Sequence, residues 1–124
     1  ETDTLRYEVW HNTGDPDRAG TTARETLAWV REVIERGAGE IVLNCMASDG
    51  VRGGYDLAQL REVRAISEVP LIASGGAGNP SHFIDVFREC NVDGALAASV
   101  FHNGDVRIPE LKRQLRAAAI EVRP

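Results

Sequence analysis

The sequence predicts an α/β fold whose core is three short parallel strands, each leading through a turn into an amphipathic helix. Three observations predict it. Ile41-Val42-Leu43-Asn44, Leu71-Ile72-Ala73 and Ala95-Leu96-Ala97-Ala98 are brief and almost wholly apolar, the pattern of strands buried on both faces. Turns rich in glycine or small residues follow each of them, at Ser48-Asp49-Gly50, Ser74-Gly75-Gly76-Ala77-Gly78 and Ala98-Ser99. Helical patterning lies between successive runs, and the connections are long enough for right-handed crossovers.

Before the first of these strands, Leu5 to Trp10 alternates apolar and polar residues, which suits a half-exposed strand. His11-Asn12-Thr13-Gly14-Asp15-Pro16-Asp17 supplies turn chemistry, so residues 1–20 read as an exposed strand or hairpin with a loop, and residues 21–124 as the βα units of the same domain. Thr21 or Thr22 is placed to cap a helix running to about Arg36, because Glu25 stands three residues beyond Thr22 in a capping-box pattern. Leu27, Val30 and Ile34 form its apolar stripe, and Gly37 and Gly39 end it.

Glu40 leads into the first core strand. Asp56 is placed to cap a helix through about Ser67, and Pro70 introduces the second strand. The next helix begins near Pro80, a favourable first-turn residue, with Phe83, Ile84 and Phe87 facing inward. Asp93-Gly94 precedes the third strand. Ser99 to Phe101 can start a short helical turn, and Pro109 opens a last amphipathic helix carrying Leu111, Leu115 and Ala118.

With 124 residues, 43% hydrophobic and 27% charged, the chain has the composition of one globular domain. A formal net charge of −5 argues against a general nucleic-acid binder, whose affinity is built from clustered lysine and arginine. No apolar run approaches the roughly 18 residues of a membrane span. The start Glu1-Thr2-Asp3-Thr4 lacks signal-peptide character, so the expectation is a cytoplasmic protein without membrane contact. Cys45 and Cys90 lack metal-type spacing and read as free thiols, with no metal or cofactor implied.

The glycine turns carry the chemistry. Glycine removes the Cβ that keeps a ligand's oxygens away from backbone N–H groups, so such a turn can cradle phosphate without lysine or arginine. Read alone, Gly75 and Gly76 fit equally a tight turn that needs unusual dihedrals. Asp49 would repel a phosphate, so it fits a contact to a substrate hydroxyl or the shaping of the Gly50 turn. Cys45 has no histidine placed to act as its base, and His11, His82 and His102 read as structural or surface residues. Arg52 and Arg64 can assist an anion, but surface arginines need no such purpose.

Glu40-Ile41-Val42-Leu43-Asn44, Ser48-Asp49-Gly50, Gly54-Tyr55-Asp56, Ile72-Ala73-Ser74-Gly75-Gly76-Ala77-Gly78 and Ala95-Leu96-Ala97-Ala98-Ser99-Val100-Phe101-His102, taken together, resemble the C-terminal half of the cyclase subunit of imidazole glycerol phosphate synthase, the HisF family. The resemblance runs from about Thr4 to the end of the chain. It implies half of a (β/α)8 TIM barrel in a histidine-biosynthesis lyase. Such a cyclase takes ammonia from a glutaminase partner and cyclises a bis-phosphorylated ribonucleotide. It also implies a phosphate and substrate site made of Asp49 and Gly50, Gly75 and Gly76, and Ala98 and Ser99, at strand C-terminal ends where barrel sites lie.

The family's two catalytic aspartates stand at the ends of its first and fifth strands, and this sequence begins just after the fifth. Asp3, Asp15 and Asp17 belong to the opening segment and do not take their place. By resemblance Glu40 matches a charged residue at the family's ammonia entrance, but a solvated strand-leading carboxylate fits it better here. The expected function is therefore a HisF-like half-barrel that binds phosphate or a phosphorylated small molecule and is noncatalytic alone. The alternative is one component of a split cyclase, completed by a separate N-terminal half-barrel. Open strand edges and side chains meant for a shared interior, sought among Ile41, Leu43, Leu71, Ala73, Leu96 and Ala98, lead to the expectation of a homodimer or higher homo-oligomer.

Overall fold

A computed structural model describes residues 7–124. Leu5 and Arg6 of the expected opening strand, and Asp3 before them, lie outside the described residues. The chain runs through β1 (Glu8–His11), β2 (Gly20–Glu25), α1 (Thr26–Glu35), β3 (Ile41–Asn44), α2 (Leu57–Ile66), β4 (Leu71–Ser74), α3 (Pro80–Cys90), β5 (Gly94–Leu96), α4 (Ser99–His102) and α5 (Ile108–Ala117). Strands β3, β4 and β5 form a parallel sheet in that order, while β1 and β2 form a separate antiparallel hairpin. The arrangement is that of half a (β/α)8 barrel.

The hairpin corrects the reading of residues 20–25. Those residues are a strand, not the first turn of a helix, and the Thr22–Glu25 capping box does not form. Thr22 Oγ1 donates instead to Val9 O at 2.7 Å, and Thr21 Oγ1 to Glu8 Oε2 at 2.7 Å. β-Branched threonines suit a strand, and here cross-strand acceptors win the hydroxyls that a cap would have used. Pairing of Glu8 with Glu25 and of Trp10 with Thr21 leaves three residues, Thr22 to Arg24, opposite Val9; Ala23 absorbs the bulge at φ 58°. Helix α1 therefore starts at Thr26, whose N–H donates to Tyr7 O at 2.9 Å.

The other helix boundaries follow local chemistry closely. After α1, Gly37 takes φ 99°, with Gly37 N–H donating to Ile34 O and Ala38 N–H to Val33 O, the two bonds of a Schellman ending. Asp56 caps α2 by accepting the Gln59 N–H at 3.1 Å. Asn79 does the same for α3 through the Ser81 N–H, with Pro80 in the first turn, and Pro109 stands in the first turn of α5. Glu32 of α1 pairs at the surface with Arg24 of β2 and with Arg36 just past the helix.

Only one face of the parallel sheet is covered among the described residues. Ladder register places Ile41 beside Leu71, and Leu43 beside Ala73 and Ala95. These residues pack with Leu60, Val63, Phe83 and Val86 of the helices in one apolar core. The alternate row is Val42, Ile72 and Gly94, then Asn44, Ser74 and Leu96; Val42 is 57% and Leu96 47% exposed. Strands buried on both faces were the expectation, and the side chains sought for a shared interior included Ile41, Leu43, Leu71 and Ala73. Period-2 alternation sends those four toward the helices; Leu96, also sought for the interior, does take the open face, where Val42 and Ile72 join it.

At the opposite edge from the glycine turns, Arg64 and Asp93 tie the connections down. Arg64 donates to Asp93 Oδ2 at 2.7 Å and to the carbonyls of Ser67 and Val69 at 2.7 and 2.8 Å, so its role is structural. Asp93 Oδ2 also accepts the Leu71 N–H at 2.8 Å, at the first residue of β4. The Leu71 N–H, and after it the Arg64 guanidinium, hold the Asp93 carboxyl below its ordinary value. A depressed folded-state value means that the stabilisation is complete above the unfolded carboxylate pKa of about 3.9 and fades as pH falls through the lower folded value. Urea midpoints of wild type should therefore fall more steeply on acidification below about pH 4 than those of Asp93→Asn; parallel profiles would remove this assignment.

Candidate functional site

The three turns expected to hold phosphate leave the same end of the sheet, because Asn44, Ser74 and Leu96 are register neighbours at the C-terminal ends of β3, β4 and β5. Ser74 Oγ donates to Asn44 Oδ1 at 3.0 Å, joining the first two strand ends. The turn after β3 is wound on its own backbone, with Ser48 N–H and Asp49 N–H donating to Cys45 O at 3.1 and 3.0 Å and Val51 N–H to Ser48 O at 3.3 Å. Gly50 follows at φ 77°, exposed, with no atom within 4 Å of where a Cβ would stand.

The turn after β4 is built quite differently. Gly75 and Gly76 are buried, at φ 93° and 119°. A Cβ on Gly75 would lie 2.8 Å from Cys45 O, and one on Gly76 would lie 2.1 Å from Gly54 O and 3.0 Å from Ser48 Cβ. Gly54 N–H donates to Gly76 O at 2.8 Å, so the two loops are pressed backbone to backbone. The residues nearest Gly76 are thus Gly54 and Ser48, while Asp49 and Gly50 lie on the exposed side of their turn. Among the described residues the Asp49 carboxylate makes no hydrogen bond.

Ala98 and Ser99, both exposed, lead into the short helix α4 after β5. Tyr55 reaches this third strand end: its hydroxyl donates to Leu96 O at 2.9 Å, and its buried ring meets Phe83 edge-on at a centroid distance of 5.7 Å. Burial pushes the phenol upward, so Tyr55 holds its proton and acts as a donor. The contacts of Tyr55 and Ser48 escaped the sequence reading, although both stand in runs it singles out. For Tyr55 the signal was present: it lies inside the Gly54-Tyr55-Asp56 run, but its partner is 41 residues away.

Backbone donors remain over at these turns. Among the described residues, the N–H groups of Gly50, Gly76 and Ser99 donate to no protein acceptor, whereas the Gly75 N–H faces β5 at the Ser74–Leu96 pair. Buried N–H groups are rarely left without a partner, so that of Gly76 marks a place where an acceptor belongs. An anion's oxygens supply such acceptors without needing a cationic side chain. Arg52, two residues beyond Gly50 in the sequence, pairs instead with Asp105.

Other candidates separate from this edge. Cys45 and Cys90 are free and buried. Cys45 Sγ donates to Gln59 Oε1 at 3.1 Å, and burial pushes its thiol up to about 12, which suppresses the thiolate a nucleophile requires. His11 and His102 are exposed, and His82 lies on the first turn of α3. Among the described residues no three His, Cys, Asp or Glu side chains are grouped to hold a metal ion, and no helix is long and apolar enough to cross a membrane.

A cleft of about 910 Å³ lies elsewhere. It runs between β3, α1 and the hairpin, lined by Val9, Trp10, Trp29, Val33, Val42 and Met46 among others, with Glu40 at its border. None of the six candidate phosphate residues lines it. It follows the side of β3 that carries no partner strand among the described residues.

A parallel βα sheet with its loops gathered at the strand C-terminal ends defines a barrel-type α/β protein. More narrowly, the chain belongs to the histidine biosynthesis protein family, which it matches over residues 3–107. It is 63% identical over 118 residues to the imidazole glycerol phosphate synthase subunit HisF of Xanthomonas euvesicatoria pv. vesicatoria, a match covering 95% of this chain and 46% of that protein. The same subunit of Xylella fastidiosa is 60% identical over the same shares. The chain thus spans about half the length of the curated relatives it matches, and the stretch it matches is their C-terminal part.

Proposed function

We propose that this chain is the phosphate-holding half of a HisF-like site, that it performs no cyclase chemistry by itself, and that it self-associates. The observation that carries the first part is the set of unpartnered N–H groups on Gly50, Gly76 and Ser99 at one end of the sheet. Asp49 takes the substrate side of the first turn, where an exposed carboxylate suits a hydroxyl better than a phosphate. Ala98, with its small side chain, leaves the Ser99 N–H accessible. Substrate, by this reading, is a phosphorylated small molecule, as the relatives' name for a glycerol phosphate synthase also favours.

Self-association is supported by the open face of the sheet. Val42 and Leu96 are large apolar side chains about half exposed, and β3 and β5 each have a side without a partner strand among the described residues. Apposing two such faces buries both rows with a single sequence. The second reading, a split cyclase completed by an N-terminal half-barrel, is favoured by the apolar cleft along the free side of β3. Another chain's strand would seat there and bring the catalytic carboxylates that this reading assigns to the other half.

Both parts can be tested on the purified chain. Titration calorimetry with inorganic phosphate should give saturable heat, reduced about tenfold or more in affinity by Gly50→Asn, which tolerates positive φ while filling space now open. No response at millimolar phosphate would defeat the site. Light scattering at low micromolar concentration should show a dimer or larger, and Val42→Asp should return it to a monomer. A wild-type monomer would reject self-association, and cyclase turnover by the chain alone would overturn the noncatalytic reading.

A further inference from the structure

His82 stands where the two glycine loops meet. It is half-buried on the first turn of α3, and its Nδ1 accepts the Gly78 N–H at 2.9 Å. On its other side the ring backs the loop after β3, since a Cβ on Gly54 would lie 3.4 Å from His82 Cδ2 and 3.6 Å from Nε2. Gly54 is the residue that donates to Gly76 O, and Gly78 lies so close to Arg52 that a Cβ there would stand 2.1 Å from Arg52 O. One imidazole therefore touches both loops that frame the unpartnered Gly76 N–H group.

The bond also specifies the ring's state. An acceptor at Nδ1 is a nitrogen without a proton, so the ring meets Gly78 through its unprotonated Nδ1. A surface histidine on a helix would gain nothing from this constraint. Here the acceptor takes up the last donor of the Gly75–Gly78 turn, so that Gly78 is spent on the protein and Gly76 and Ala77 are left over among the described residues.

We propose that His82 is a positioning residue for anion binding, holding the turn after β4 against the loop after β3 so that the Gly76 donor stays in place. This rests on the phosphate reading above. His82 does not touch the anion; it acts through Gly78 and Gly54.

Two measurements test it. In wild-type protein, a through-hydrogen-bond coupling between the Gly78 amide nitrogen and His82 Nδ1 should be visible by NMR without any ligand. In calorimetry with inorganic phosphate and with sulfate, His82→Ala should bind about tenfold more weakly, the scale of one lost hydrogen bond. His82→Asn, whose Oδ1 offers an acceptor near the Nδ1 position, should stay within about threefold of wild type. Wild-type affinity in His82→Ala, or equal loss in the alanine and asparagine variants, would overturn the role while leaving the phosphate site standing. A wild-type protein silent to both anions would defeat the site and His82's role together, and an absent coupling would defeat His82's role even where anions bind.

Discussion

Truncating Phe83 to alanine should destabilise the fold by about 3–5 kcal/mol, read as a drop in the urea midpoint at nearly unchanged slope. Phe83 is 2% exposed and is among the largest fully enclosed side chains. Its ring meets Tyr55 edge-on and Phe101 at a tilt, each at 5.7 Å between centroids, so one side chain joins α3 to the loop after β3 and to α4. The cavity left by alanine is walled by groups that cannot readily collapse, because Tyr55 is fixed through its hydroxyl to Leu96 O. The loss would be a large share of the 5–15 kcal/mol typical of a domain. A cost below about 1 kcal/mol would mean that this aromatic cluster does not exist in solution.

Phe83 also shows what was legible beforehand. Helical spacing placed it on the inner side of α3, and Pro80, Asp56 and Gly37 marked helix boundaries with the chemistry they use in the fold. Such signals are local, carried by residues within one turn of each other. The hairpin was harder, because Thr21 and Thr22 offer the same hydroxyls to a cap or to a partner strand. Acceptors 13 residues earlier decided between them. The strands were identified by their apolar content, but the side chains assigned to each face depend on ladder register, which only tertiary pairing sets.

For the candidate site, positive φ at Gly50, Gly75 and Gly76 was readable from glycine itself. What distinguishes them was not. Gly50 opens on empty space, whereas Gly75 and Gly76 are pressed against another loop, and the difference depends on Cys45, Ser48 and Gly54 arriving from β3. His82 gave no signal beyond its place in a first turn, because its acceptor role depends on the turn four residues earlier folding back over it.

Gly76→Ala should therefore be among the most damaging single changes in the chain, at about 3 kcal/mol or more. Alanine at φ 119° is strained in any surroundings, and its Cβ would stand 2.1 Å from Gly54 O and 2.9 Å from the Gly54 carbonyl carbon. The opposing atoms are backbone, so relief requires moving a loop. Moving it breaks the Gly54 N–H bond to Gly76 O and disturbs the His82 contact behind Gly54. Gly50→Ala, with positive φ but no neighbour within 4 Å, should cost only about 1 kcal/mol. Urea melts of the two variants make the comparison, and equal costs would mean that the loops are not in contact. If they differ as expected, lost anion binding in a Gly76 variant reports collapse of the turn, and Gly50 becomes the position at which binding can be removed while the fold is kept.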